Sequence, residues 1–253
     1  MHRSIGALSL CSVLAMASTN SQAAPRPDLM LCGTSDASLS DVYTSPNSYN
    51  EITGCTPDSN TEALLITRNA TIAGNGAQWL SYLNNGGVII TEYNNPEPVY
   101  NELYGTSYTN DSAGDCRDMI MPSTIVNASD PFWVATGGIT PVPDSEDSCG
   151  SDLADIVAGE GGTVIALGER TPEGTTSLAY RSQGLGVLFL TGADWQDSST
   201  ASAGAEASSA QLFGHMIAYS SAATSNAIPV LPAWAMVPLL GLIGLGARKH
   251  LKK

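Results

Sequence analysis

The sequence predicts one α/β domain with a mostly parallel sheet, framed by export and membrane segments at its two ends. Three observations carry this. Short unbroken apolar runs recur and each ends in turn residues, segments at helical spacing lie between them, and the charge divides sharply into an anionic body and basic termini. Continuous rather than alternating apolarity is the mark of strands buried on both faces, as in a parallel central sheet.

The apolar runs are Leu29 to Leu31, Ala63 to Thr67, Val88 to Thr91, Val164 to Leu167 and Val187 to Thr191. Between the second and third, Gln78 to Asn84 sets Trp79, Leu80 and Leu83 on one helical face, and Gly86-Gly87 supplies the stop. Near the end of the body, Glu206 to Ser221 spaces Leu212, Phe213, Met216 and Ile217 as a helical stripe. His215 falls off that stripe and is expected to face solvent. Thr176 to Arg181, Gln183-Gly184 and Val187 to Leu190 read as strand, turn and strand of an antiparallel hairpin. Strand alternating with helix is the pattern of a layered α/β domain. No internal repeat is present.

With 253 residues, 43% hydrophobic and 13% charged, the chain has material for one globular domain of about 200 residues plus targeting segments. Residues 25 to 227 hold all 24 acids against five arginines (Arg26, Arg68, Arg117, Arg170 and Arg181), a formal charge of −19, and no lysine. So anionic a surface repels phosphate backbones, which excludes nucleic acid as a partner.

Residues 1–24 read as a secretory signal peptide: His2 and Arg3 are the basic start, Ile5 to Ala17 the apolar run, and Gln22-Ala23-Ala24 the cleavage site. Leu10 before Cys11 disfavours lipidation. Residues 25–221 are then an extracytoplasmic domain, and 222–227, small and polar, a linker. From Ile228 to Ala247 run 20 uncharged, mostly apolar residues, the length of a transmembrane helix, followed by the basic stop Arg248, Lys249, Lys252 and Lys253. The basic tail keeps the cytoplasmic side and leaves the body outside. Pro232 and Pro238 speak against a buried soluble helix.

This terminus, residues 228–253, resembles the C-terminal sorting signals of Gram-negative bacteria of the IPTL-CTERM type, a relative of PEP-CTERM. Ile228, Pro229, Leu231 and Trp234 match the family's motif, while Val230 replaces Thr and Ala235 replaces Gly. The resemblance implies an exosortase-like membrane protease as partner. It also implies an itinerary, with the body held in the periplasm at the inner membrane and then passed to the cell surface or released. A tail that is never cut, leaving a permanently anchored protein, is the alternative.

Four cysteines lie in the body: Cys32, Cys55, Cys116 and Cys149. An even number in an exported chain reads as two disulfides with three possible connectivities. The sequence-local pairing, Cys32 with Cys55 and Cys116 with Cys149, is favoured because both pairs fall in Ser/Asp/Gly-rich stretches. Zinc is disfavoured, since no Cys-x-x-Cys occurs and His215 is the body's one histidine. The loops Asp111 to Asp115 and Asp144 to Asp147 carry carboxylates but do not match a calcium loop. No metal site and no cofactor is therefore assigned.

Two phrases carry a second resemblance. Gly86-Gly87-Val88-Ile89-Ile90-Thr91-Glu92-Tyr93, and Gly184-Leu185-Gly186 running on through Val187 to Asp194-Trp195, are similar to the core of class I glutamine amidotransferase-like domains. The resemblance implies a flavodoxin-like three-layer fold over most of residues 29 to 221. It also places a nucleophile turn after the strand, where this chain has Glu92-Tyr93-Asn94-Asn95-Pro96 without a cysteine, and Asp194-Trp195 where the family has its histidine. The activity does not carry over, and no catalytic residue is assigned. Absence of lysine removes Schiff-base and P-loop chemistry, and Gly184-Leu185-Gly186 lacks the rest of a dinucleotide fingerprint.

Carboxylates remain. Glu92, Glu97 and Glu102 follow one strand, and Asp194 and Asp197 another, so in a parallel sheet they converge on one rim. The expectation is a solvated anionic edge. A ligand, if bound, would meet Glu92, Tyr93, Asn94, Asp194 and Trp195 there. The leading reading is an exported, sortase-processed surface protein with a non-catalytic binding or structural domain. The rival is a surface hydrolase using two carboxylates.

Overall fold

A computed structural model of the chain describes residues 28–33, 49–109, 124–136, 151–170, 175–192 and 210–219. The signal segment 1–24, the linker 222–227, the sorting segment 228–253, Cys116, Cys149, Asp194, Trp195, Asp197 and both candidate calcium loops lie outside them.

In chain order the elements are β1 (Asp28–Cys32), β2 (Asn50–Thr53), β3 (Thr61–Ile66), α1 (Gly76–Asn84), β4 (Val88–Thr91), α2 (Pro96–Tyr104), β5 (Thr124–Ile125), α3 (Pro131–Ala135), α4 (Ala154–Gly159), β6 (Ile165–Arg170), β7 (Thr175–Gln183) and β8 (Gly186–Thr191). A last helix, α5, covers 210–219. The strands form one sheet in the order β2-β1-β3-β4-β8-β7-β6-β5. From β2 to β8 all neighbours are parallel, and from β8 to β5 all are antiparallel.

Alternate residues of the parallel strands feed two cores. Leu29, Leu31, Ala63, Leu65, Val88 and Ile90 face α3 and α5. Met30, Leu64, Ile66 and Ile89 face α1, α2 and α4. A strand buried on both sides has no polar face to alternate with, which is why β4 reads Val88-Ile89-Ile90-Thr91 without interruption. In α1, Trp79 and Leu83 are fully buried, each contributing roughly 1.5–3 kcal/mol of apolar burial. The helix stops at Gly86, whose left-handed φ of 101° is accompanied by bonds from Gly86 N–H to the Leu83 carbonyl and from Gly87 N–H to the Tyr82 carbonyl.

Two expectations are corrected, and one helix is added that the sequence reading did not assign. The Val164 to Leu167 run enters β6, which pairs antiparallel with β7 rather than joining the parallel set. Its apolarity reports burial, and burial on two faces does not itself select strand direction. Residues 96–104, where the sequence places Glu97 and Glu102 after a strand without assigning an element, form α2, begun by Asn95 and by Pro96 in the first turn and ended by Gly105 at φ 68°. His215 is half-buried rather than open to solvent, and loss of solvation lowers its pKa. The antiparallel hairpin is present, with its turn one residue later than expected, at Gly184-Leu185, because Gln183 still pairs with Gly186.

Candidate functional site

The parallel strands deliver their C-terminal ends to one rim, where open α/β sheets hold their ligands. At its centre β4 turns into α2 within four residues. Asn95 N–H closes the turn on the Glu92 carbonyl at 3.0 Å, and Val99 N–H then bonds the Asn95 carbonyl at 2.9 Å to start the helix. Tyr93, inside this turn, has φ 53° and is the described non-glycine residue in the left-handed region. A bulky side chain there costs on the order of 1–3 kcal/mol and persists only where the surroundings over-determine it.

Those surroundings are polar and buried. Glu92 is 1% exposed, and its Oε2 accepts the Arg68 backbone N–H at 3.0 Å. The Asn95 amide donates to the Thr67 carbonyl. On α2, Glu97 is also 1% exposed. Ser151 Oγ lies 3.0 Å from the Tyr93 carbonyl and 3.3 Å from Glu97 Oε2, so one hydroxyl spans the turn and the helix. Across the ring of Tyr93 the Arg68 guanidinium sits 5.5 Å from the centroid, within cation–π range. Gly192, at the end of β8, admits no Cβ, which would come within 2.4 Å of the Ser151 carbonyl oxygen.

Glu92 and Glu97 therefore do not form a solvated edge. Their carboxylates are desolvated and hold neighbouring backbone and hydroxyl groups, as buried charges must. Glu102, half-buried on α2, bonds Gly74 N–H at 2.9 Å and Gly76 N–H at 3.1 Å, closing the start of α1. Tyr93 and Asn94 remain partly open at the rim. Of the five expected rim residues, Glu92, Tyr93 and Asn94 are brought together in one turn, and Asp194 and Trp195 lie outside the described residues. Cys32 and Cys55 are joined as a disulfide, as expected. It ties the end of β1 to the chain after β2.

This turn is a strand–elbow–helix with no cysteine or histidine among its residues, and among the described cysteines both sulfurs are oxidised. A similar fold occurs in solved structures. A ThuA-like protein from Bacteroides uniformis aligns over 79% of this chain and 94% of its own, with a TM-score of 0.50 at 11% identity. The fold is ThuA-like. A ThuA-like protein from Parabacteroides merdae aligns over 76% of this chain and 90% of its own, with a TM-score of 0.36 at 9% identity. The exo-β-1,4-mannosidase Op5Man5 from Opitutaceae bacterium strain TAV5 aligns over 76% of this chain and 36% of its own, with a TM-score of 0.44 at 13% identity. No protein-family model and no curated protein sequence matches the chain.

Within the ThuA-like fold, two residues at the rim had escaped sequence reasoning. Arg68 carried a usable signal, since it is one of five cations in the body and directly follows an apolar run. Ser151 carried none, because its partners stand 54 and 58 positions earlier.

Proposed function

We propose that this is an exported envelope protein, processed at its C-terminal motif by an exosortase-like protease, whose ThuA-like domain is a non-catalytic binding module with Tyr93 at its ligand rim. One observation carries the binding assignment: a tyrosine occupies the left-handed position of the β4–α2 elbow. Glycine would make that turn at no steric cost. Retaining a strained phenol at the strand terminus, with the Arg68 guanidinium beside it, is sensible where the ring itself meets a ligand. The burial of Glu92 and Glu97 speaks against the paired-carboxylate hydrolase, which needs both groups to front a cleft.

The delivery half rests on the signal peptide, the Ile228, Pro229, Leu231, Trp234 motif and the basic stop. It is tested by fractionating cells with and without the exosortase-like protease and sequencing the mature C-terminus. A shortened surface form that disappears without the protease supports processing, and surface protein still ending in Lys253 overturns it. The binding half is tested by thermal-shift screening of wild type and Tyr93→Gly. Ligands should raise the melting temperature of the wild type alone, and equal shifts in both would refute the rim.

A further inference from the structure

The strand β2 stands at one end of the sheet with β1 as its neighbour, and none of its four residues is fully buried. Glu51 pairs with Leu29 in the parallel register, and partners across a ladder share a face. That face belongs to the α3 and α5 core, in which Leu29 and Ala63 have no exposed surface. Glu51 thus brings a carboxylate to the margin of an apolar layer. Its Oε1 is shut off from water, and among the described residues no group donates to it. Loss of solvation accordingly raises the Glu51 pKa. A buried acceptor without a partner opposes the docking of the strand that carries it.

The disulfide lies just beyond this strand. Cys55, in the chain after β2, is joined to Cys32, the last residue of β1. Otherwise β2 is held by its short ladder on β1, by Gly54 N–H on the Leu31 carbonyl at 2.9 Å, and by an exposed bond from the Asn50 amide to Asp28. Cys32 has no exposed surface, whereas Cys55 is half-buried. A thiolate from outside therefore attacks at Cys55, since exchange depends on access to the sulfur.

We propose that the Cys32–Cys55 disulfide is a redox latch, holding β2 on the sheet against the unpartnered Glu51 carboxylate and releasing it to a dithiol reductant. The first thiolate of the reductant bonds to Cys55 Sγ, and Cys32 Sγ leaves with the electron pair of the broken bond and takes up a proton. The second thiol then attacks the mixed disulfide, frees Cys55 as a thiol and leaves the reductant as its own disulfide, so two electrons and two protons pass to the protein. Reduced Cys32 stays in the core as a small apolar side chain. Glu51 regains water, and the outer backbone edge of β1 is uncovered, an edge to which an extended segment can add. This device depends on neither the elbow nor the sorting motif.

The test is amide hydrogen exchange of the full-length chain in mild detergent, with and without dithiothreitol. After reduction, residues 50–53 should exchange at nearly the rate of an unstructured peptide, while residues 88–91 of β4 stay slower than such a peptide by more than about a hundredfold. The pair Cys32→Ser with Cys55→Ser, which removes this bridge alone, should show the same release without reductant. Glu51→Val puts an apolar, strand-forming side chain in place of the carboxylate. Its β2 should stay docked when the bridge is reduced, exchanging at least about tenfold more slowly than that of the reduced wild type. Four outcomes would each overturn the proposal: a bridge that dithiothreitol cleaves only in denaturant, protection of 50–53 that survives loss of the bridge, equal loss of protection in 88–91, or release in Glu51→Val as complete as in the wild type.

Discussion

Thr91 and Thr191, separated by 100 positions, close the ends of β4 and β8 through their side chains. Thr91 Oγ1 accepts the Thr191 N–H at 2.9 Å and lies 3.2 Å from the Thr191 carbonyl, to which it donates. Thr191 Oγ1 donates to the Thr91 carbonyl at 3.1 Å. Both residues are buried, so the bonds satisfy groups that no water reaches. Thr91→Val strips the acceptor from a buried N–H and should lower stability by about 1–3 kcal/mol, measured by urea unfolding. A double-mutant cycle with Thr191→Val should show coupling above about 0.5 kcal/mol. An unchanged midpoint in Thr91→Val would remove this clasp from the account.

The disulfide of Cys32 with Cys55 closes a loop of sequence separation 23. Loop entropy puts its contribution at about 3 kcal/mol. The Cys55 carbonyl also receives the Trp79 indole N–H at 2.8 Å, so releasing the link loosens the seat of α1. Reduction, or the paired serine substitutions, should shift the unfolding midpoint down by that amount. A shift under about 1 kcal/mol would mean that the unfolded chain is not appreciably restrained by the bridge.

At the elbow, substitutions should rank by tolerance of the left-handed region. Tyr93→Gly relieves strain of about 1 kcal/mol while losing the contact with Arg68, and should unfold within about 1 kcal/mol of the wild type. Tyr93→Val, branched at Cβ, should be the least stable of the three. A Val variant as stable as the Gly variant would show that the turn relaxes out of this conformation.

Arg181 is clasped between two tyrosines and an acid. Its guanidinium stands 3.7 Å from the Tyr104 ring centroid and 5.5 Å from that of Tyr100. It donates to the Tyr100 hydroxyl and, at 3.2 Å, to Glu160 Oε2. Arg181→Lys keeps the charge and discards the planar stack and fork, and should cost about 1–2 kcal/mol in denaturant unfolding. Equal stability of the lysine variant would mean that charge alone suffices.

Alkaline pH should unfold the protein. Burial, aided by the Glu62 carboxylate, pushes the Tyr49 phenol up to about 12 from 10.0. Burial likewise raises Tyr82, Tyr100 and Tyr180. A folded pKa above the unfolded one means that folding favours the neutral phenol. That stabilisation is complete below pH 10 and is lost as pH rises through about 12, because the unfolded chain releases its protons first. Unfolding free energies taken from pH 8 to 12 should fall over this window, and a flat profile would contradict it.

How far the sequence could be read depended on how local the determinant was. The run Val88 to Thr91, the glycine stop at Gly86-Gly87 and the Gly184-Leu185 turn are each specified by a few adjacent residues, and all three stand in the structure. The local pairing of Cys32 with Cys55 was also legible, since both fall in Ser/Asp/Gly-rich stretches, and the structure joins the end of β1 to the chain just after β2. Arg68 was visible as a rare cation, but its partner Tyr93 was not.

By itself the sequence determined the parallel core, the hairpin, the charge division and the turn that carries Tyr93. These follow from side-chain periodicity and turn chemistry, which act over a few residues. Tertiary structure alone decided that β6 runs antiparallel, that Glu92 and Glu97 are buried, and that Tyr93 is held left-handed. A carboxylate's solvation depends on what docks over it, here Ser151 and the Arg68 backbone from distant parts of the chain. No local pattern encodes a partner 54 residues away.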